Sequence, residues 1–181
     1  PQECPVKACG RYYPERVDDV AWENDLTAFR AYGPALQETG ERAFGYDIWT
    51  KYNTTEPVVE ARYEGELNPD MKTKIAELGK TDPKAAQELY RSVSYHVDHG
   101  NGLDCYKVGP TLGGGTTALM AGDTIVYPYC YATQEILDNG PLRFTVKLVY
   151  NPLVVKGDST IIETRIITLD AGSYCNKTVV S

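Results

Sequence analysis

Both histidines of the chain fall in one run, Tyr95-His96-Val97-Asp98-His99, followed at once by Gly100-Asn101-Gly102-Leu103-Asp104-Cys105-Tyr106-Lys107. Imidazole is the side chain whose ordinary pKa lies nearest neutrality, and a neighbouring carboxylate fixes its tautomer and raises its basicity, as a general base requires. On a strand, His96 and Asp98 share one face; after a tight Gly100-Asn101-Gly102 turn, Asp104 and Tyr106 also share a face. The expected result is a hairpin on which four polar groups converge. Three readings stay open here: a hydrogen-bonded polar hairpin with no chemical role, a general acid–base or ligand site, and a metal site. Metal ranks last, because strand geometry parts His96 from His99.

Other candidates lie outside this run. The acidic opening Asp18, Asp19, Glu23, Asn24 and Asp25 surrounds Trp22; it either lines a sugar subsite or caps strands. Arg30 and Arg143 stand in apolar strand patterns, where a charge needs a partner or a ligand carboxylate. The glycine-rich run from Val108 to Thr116 lacks the lysine and the strand-to-helix setting of a phosphate loop. It reads as a flexible or close-approach loop beside the hairpin. Fourteen tyrosines stand against three phenylalanines. Tyrosine can stack on a sugar ring and donate from its hydroxyl, and it also suits half-exposed strand faces.

Composition excludes several classes. A formal charge of −7 with no basic run argues against a nucleic-acid partner. No stretch approaches the roughly 18 apolar residues that a membrane span needs. Cys4, Cys9, Cys105, Cys130 and Cys175 show no paired zinc spacing, and an odd count leaves at least one thiol unpaired within the chain. Cys4 and Cys9 are close enough in sequence to bridge locally, but the pairing stays open. No cofactor is implied. Asn53-Thr54-Thr55 and Asn176-Lys177-Thr178 fit the glycosylation pattern, which is common by chance. The chain starts at Pro1 without a leader pattern, so a removed leader is inferred and an extracytoplasmic location expected: secreted, periplasmic or cell-surface.

The elements that must position these residues read as mainly β. Val17 to Leu36 is ambiguous in period and is taken as two strands broken before Gly33-Pro34; Gly45 to Tyr52 alternates as a strand, and Val58 to Tyr63 is expected to continue the sheet. A helical excursion over residues 69–93 follows. Its first helix starts at Asn68-Pro69 and ends at Gly79; its second starts at Asp82-Pro83. Strands are then expected at Ile125 to Thr133, at Leu142 to Tyr150 after an Asn139-Gly140-Pro141 turn, at Ser159 to Leu169, and at Cys175 to Val180. Long antiparallel strands with short turns imply an antiparallel β-sandwich or supersandwich over residues 1–181.

A series of motifs runs in register through the chain. It comprises Pro14-Glu15-Arg16, Asp18-Asp19, Ala21-Trp22-Glu23-Asn24-Asp25, Ala28-Phe29-Arg30 and Tyr32-Gly33-Pro34-Ala35-Leu36, then Asp47-Ile48-Trp49 with Lys51. The run from Tyr95 to Gly109 follows, then Asn139-Gly140-Pro141 with Arg143, and Leu169-Asp170-Ala171-Gly172. This series resembles the bacterial family catalogued as domain of unknown function 4861. The resemblance implies a mutarotase-like or lyase-like supersandwich, typical of secreted proteins of polysaccharide-degrading bacteria. The family domain is longer, so the chain corresponds to its first portion, either as a fragment or with its sheet edges completed by another chain. None of the cysteines belongs to the pattern.

The company such proteins keep implies uronate chemistry of the lyase or dehydratase type on an oligosaccharide or polysaccharide. Applied to this chain, His96 or His99 is the base, Tyr106 the acid, and Arg30 or Lys107 the carboxylate partner, with Asp98, Asp104, Trp22 and Arg143 completing the candidate set. The rival expectation is a non-catalytic sugar-binding domain or a structural subunit that self-assembles through unpaired strand edges.

Overall fold

The structure, a computed structural model, describes residues 3–52 and 56–181. The Asn53-Thr54-Thr55 pattern lies outside the described residues.

Strands β1 (Ala8–Tyr13), β2 (Asp19–Asn24), β3 (Thr27–Ala31), β4 (Asp47–Lys51) and β5 (Gly102–Asp104) form an antiparallel sheet in that spatial order. Side chains alternate between its faces. Val20, Trp22, Phe29, Ala31 and Tyr46 join one buried cluster with Phe144, Val146, Leu148, Ile167 and Leu169 of a second sheet. Ala21, Ala28 and Trp49 face the other way, into a cluster with Val59, Tyr63 and Tyr95. Register places Arg30 opposite Asp47 and Trp49 opposite Asp104 on that second face. The sandwich face is therefore apolar, while the opposite face carries the charges.

After the short hairpin β6 (Leu119–Ala121)–β7 (Thr124–Val126) come β8 (Tyr131–Gly140) and β9 (Arg143–Tyr150). A second small hairpin, β10 (Leu153–Val155)–β11 (Asp158–Ile161), precedes β12 (Thr164–Asp170) and β13 (Lys177–Val180). The large sheet orders them β13-β12-β9-β8, all antiparallel. Trp22 is stacked between Phe29 and Phe144, with ring centroids 5.9 and 6.2 Å away. Each fully buried aliphatic or aromatic side chain of this core stabilises the fold by roughly 1.5–3 kcal/mol.

Among the described residues there are four α-helices: α1 (Pro34–Glu38), α2 (Val59–Leu67), α3 (Pro69–Thr81) and α4 (Pro83–Val93). Asn68 and Asp82 cap α3 and α4 by accepting from the amides of Met71 and Ala85, each at 3.0 Å. The helical excursion therefore begins at Val59 rather than near residue 69, and the expected strand over Val58 to Tyr63 is α2. Two observations explain the change. The Glu23 carboxylate accepts from the amides of Val58 and Val59, seating a negative charge at the helix N-terminus. Val59, Tyr63 and Leu67 then recur at i, i+4 and i+8, laying an apolar stripe on the charged face of the first sheet.

Other expectations change in boundary. The first excursion helix runs on past Gly79 to Thr81. The strand expected over Ile125 to Thr133 is interrupted between β7 and β8, where Pro128 cannot donate to a ladder. The strand expected over Ser159 to Leu169 divides at Ile162-Glu163 into β11 and β12, which belong to different sheets. The two strands read from Val17 to Leu36 are present as β2 and β3, ending before Gly33 and α1. All five cysteines are free thiols. Asn176, in the second glycosylation pattern, accepts at 2.8 Å from the indole N–H of buried Trp22.

Candidate functional site

The charged face of the first sheet gathers Asp19 from β2, Arg30 from β3, Asp47 from β4 and Asp104 from β5, all fully buried or nearly so. Arg30 donates from Nη2 to Asp47 and, at 2.7 Å, to Asp104. Its guanidinium carbon lies 5.0–5.3 Å from the ring centroids of Tyr32, Trp49 and Tyr95. A guanidinium suits such an enclosure because it is weakly hydrated and stacks on aromatic faces. Tyr63 donates to Asp19 at 3.0 Å, and Arg16 approaches the same carboxylate at 3.7 Å. Burial pushes the Asp19 carboxyl up to about 6 despite the pull of Arg30 and Arg16. Burial likewise raises Asp104, against the pull of Arg30.

Above this floor opens a cavity of about 530 Å³. Arg16, Arg30, Tyr32 and Glu41 come from the first third of the chain; Tyr95, His96, Asp104, Cys105, Tyr106 and Lys107 come from the segment that carries both histidines. Its size falls within the range of small-ligand sites.

The histidine segment is not the expected hairpin. Residues 94–101 form a loop, and only Gly102–Asp104 is a strand, paired with β4. Asp98 does not share a strand face with His96. It accepts from the amides of Gly100 (2.8 Å) and Gly102 (3.3 Å) and so closes the turn, and the Gly100 amide above all holds its carboxyl below the ordinary value. Helix α2 pins the loop from behind: Glu66 accepts from the Tyr95 amide at 2.9 Å, and Arg62 donates to Asn101 and to the Gly102 carbonyl. Gly102 lets β5 approach β4. It has φ +110°, and a Cβ there would stand 1.7 Å from the Thr50 carbonyl oxygen.

His96 is the exposed member of the buried cluster. Its side chain is 51% exposed, and Nδ1 lies 3.4 Å from both the carboxylate and the carbonyl oxygen of Asp104. Both neighbours are acceptors, so the neutral imidazole carries its proton on Nδ1 and leaves the Nε2 lone pair free. Among the described residues nothing bonds Nε2. His99, by contrast, places Nε2 3.0 Å from the Ser94 carbonyl and does not line the cavity.

Tyr106 and Lys107 line the cavity in different states. The Tyr106 hydroxyl donates to the Tyr46 carbonyl at 2.9 Å, and burial first of all pushes it up to about 12, so its proton is engaged. Lys107 is exposed. Trp22 and Arg143 lie elsewhere. Trp22 is 0% exposed in the sandwich core and offers no face to a sugar. Arg143 forms a two-bond pair with Asp170 on the exposed side of β9. Among the described residues no group of three or more His, Cys, Asp or Glu side chains could hold a metal ion.

Arg16, Tyr32, Tyr95, Asp47 and Glu41 belong to this region without having been singled out as site residues by sequence. Arg16 is set in place by an unusual backbone: Val17 and Asp18 both have positive φ, 47° and 66°. That conformation costs of order 1–3 kcal/mol per residue and persists only where its surroundings hold it. Here Tyr131 donates to the Asp18 carbonyl, Tyr12 donates to the Asp18 carboxylate, and the Ala35 amide donates to the same carboxylate at 3.1 Å.

Two antiparallel sheets packed through an interior of apolar side chains and the buried Arg165–Glu163 pair, with helix α2 over the charged outer face, define a mainly β sandwich protein. The chain belongs to the family described as domain of unknown function (DUF4861), whose profile matches residues 2–181. It is 29% identical over 175 residues to "Uncharacterized protein P7" of Formosa agariphila, an alignment covering 93% of this chain and 38% of that relative. The chain thus spans well under half the length of the curated relative it matches. No solved structure matches. No helix among the described residues is long and apolar enough to cross a membrane.

Proposed function

We propose that the cavity binds an acidic oligosaccharide and carries out elimination across its uronate ring, in an exported carbohydrate-active protein. The observation that supports this most is His96. Its half-exposed imidazole is held at Nδ1 by buried Asp104, has a free Nε2, and shares the cavity with the exposed ammonium of Lys107. An elimination of this kind needs a cation to neutralise the carboxylate and a base to take the proton α to it. Lys107 suits the first role better than Arg30, whose charge is already matched by Asp47 and Asp104. His96 suits the second better than His99, whose Nε2 is engaged.

The test is incubation with uronate-containing oligosaccharides, followed by the ultraviolet absorbance of the unsaturated product. Turnover by the parent, lost in His96→Ala and weakened in binding by Lys107→Ala, supports elimination. Saturable binding without turnover would make this a sugar-binding domain instead. Oligomers that neither bind nor turn over would favour a structural subunit.

A further inference from the structure

Tyr95, next to His96 in the chain, combines a fixed ring with a hydroxyl proton that is not already given away. The Tyr95 oxygen accepts from Arg16 twice, from Nε at 3.4 Å and from Nη2 at 3.2 Å. Guanidinium has no acceptor, so both contacts fall on the tyrosine lone pairs and leave its O–H proton to be donated elsewhere. Among the described residues no group accepts that proton, and Tyr95 lines the cavity. Tyr106 differs, because its proton is spent on the Tyr46 carbonyl.

The Tyr95 ring is also held in place. It stacks on Trp49 with centroids 5.2 Å apart and meets the edge of Tyr63 at 5.8 Å. It touches the His96 ring, with centroids 4.5 Å apart. The rings of the proton donor and the proton acceptor are therefore in contact, and both residues line the cavity.

We propose that Tyr95 is the acid that protonates the departing oxygen, and that the elimination is syn. This rests on the elimination reading of the cavity. His96 Nε2 takes the proton from C5 of the uronate, and the electrons of that C–H bond become the C4–C5 double bond. The C4–O bond breaks, and the leaving oxygen takes the proton of Tyr95. The imidazolium then returns its proton to the adjacent phenolate, which restores both side chains without any further reactant.

With donor and acceptor acting from adjacent, touching rings, the proton and the leaving oxygen depart from the same face of the sugar. They are cis in uronates of gluco or manno configuration and trans in the galacto configuration. The site is therefore specific for the cis class.

The experiment compares the parent with Tyr95→Phe and Arg16→Gln on two oligosaccharides that present glucuronate or its C4 epimer galacturonate at the reacting position. The parent is expected to turn over the glucuronide at least about a hundredfold faster, since misplacing a reacting atom by about 1 Å costs that much. Tyr95→Phe, which keeps the ring stack, should keep KM and lose roughly 10²–10⁴-fold in kcat. Arg16→Gln keeps the phenol but removes the charged donor that turns its proton outward, and should lose about tenfold or more in kcat. Parent-like kcat in Tyr95→Phe, a loss confined to KM, or equal turnover of the two epimers would overturn the assignment. A parent that binds uronides but eliminates none would overturn the elimination reading itself, and the role of Tyr95 with it.

Discussion

Arg30 on β3 and Asp104 on β5 share a 2.7 Å ion pair across the intervening strand β4, which contributes Asp47 to the same guanidinium. These residues are far apart in sequence, and the pair ties the histidine loop to the floor of the sheet. It also explains why Arg30 is a poor ligand anchor: its charge is matched from within the protein.

Removing one partner leaves the other charge buried and under-compensated. Asp47→Ala should destabilise the protein by about 3 kcal/mol. In a chain of this size that lowers Tm by roughly 6–12 °C, measurable by circular dichroism. An unchanged Tm would show that the cluster is much wetter than its burial indicates.

Asp19 sets a pH dependence of unusual sign. Its folded pKa, about 6, lies above the unfolded value near 3.8, so the native state holds the proton more tightly. The group's contribution is fully present below the unfolded pKa and is lost as pH rises through about 6. Its size is of order 3 kcal/mol. Asp19→Asn, which cannot ionise, should therefore gain relative to the parent between pH 4 and 7 in chemical denaturation. A relative stability that stays flat across that window would contradict the raised pKa. Asp98 and Asp170 have lowered pKa values, so their stabilisation is lost as pH falls through the acid range.

Trp22→Ala should cost about 3–5 kcal/mol through the void left between Phe29 and Phe144. Ligand affinity per folded molecule should not change, since Trp22 lies on the sandwich side of the sheet. A selective loss of affinity with stability preserved would return Trp22 to the list of sugar contacts.

Gly102→Ala should loosen β5, because the added methyl meets the Thr50 carbonyl and the backbone conformation disfavours any Cβ. Hydrogen exchange at Leu103 and Asp104 should accelerate while the amides of β9 and β12 stay protected. Uniform acceleration across both sheets would instead mark a global loss of stability.

Much of the architecture was legible in the sequence, because period-2 alternation in β4 and β9 and the capped prolines of α3 and α4 are local signals. Helix α2 was not, since Val58-Val59 suit a strand in isolation and only the Glu23 carboxylate on β2 makes them a helix start. The site was legible in part. The histidine segment was found, but His96 was paired with Asp98, its neighbour in sequence, whereas its carboxylate is Asp104. Arg16 and Tyr32 stand within the motif series, but their place at the cavity depends on the left-handed turn at Val17-Asp18 and on a sheet face that local pattern does not reveal.

The central claim is that the cavity beside His96 takes an acidic sugar, and the chain's two histidines make it directly observable. Their imidazole resonances can be followed by NMR, with His99→Gln giving the assignment, while a glucuronate oligosaccharide and its neutral glucose counterpart are titrated separately. The expected result is a saturable shift of the His96 signals with the acidic ligand, a smaller one at His99, and little response to the neutral ligand. A His96 signal that stays still at high uronate concentration, or that moves equally with the neutral sugar, would contradict it.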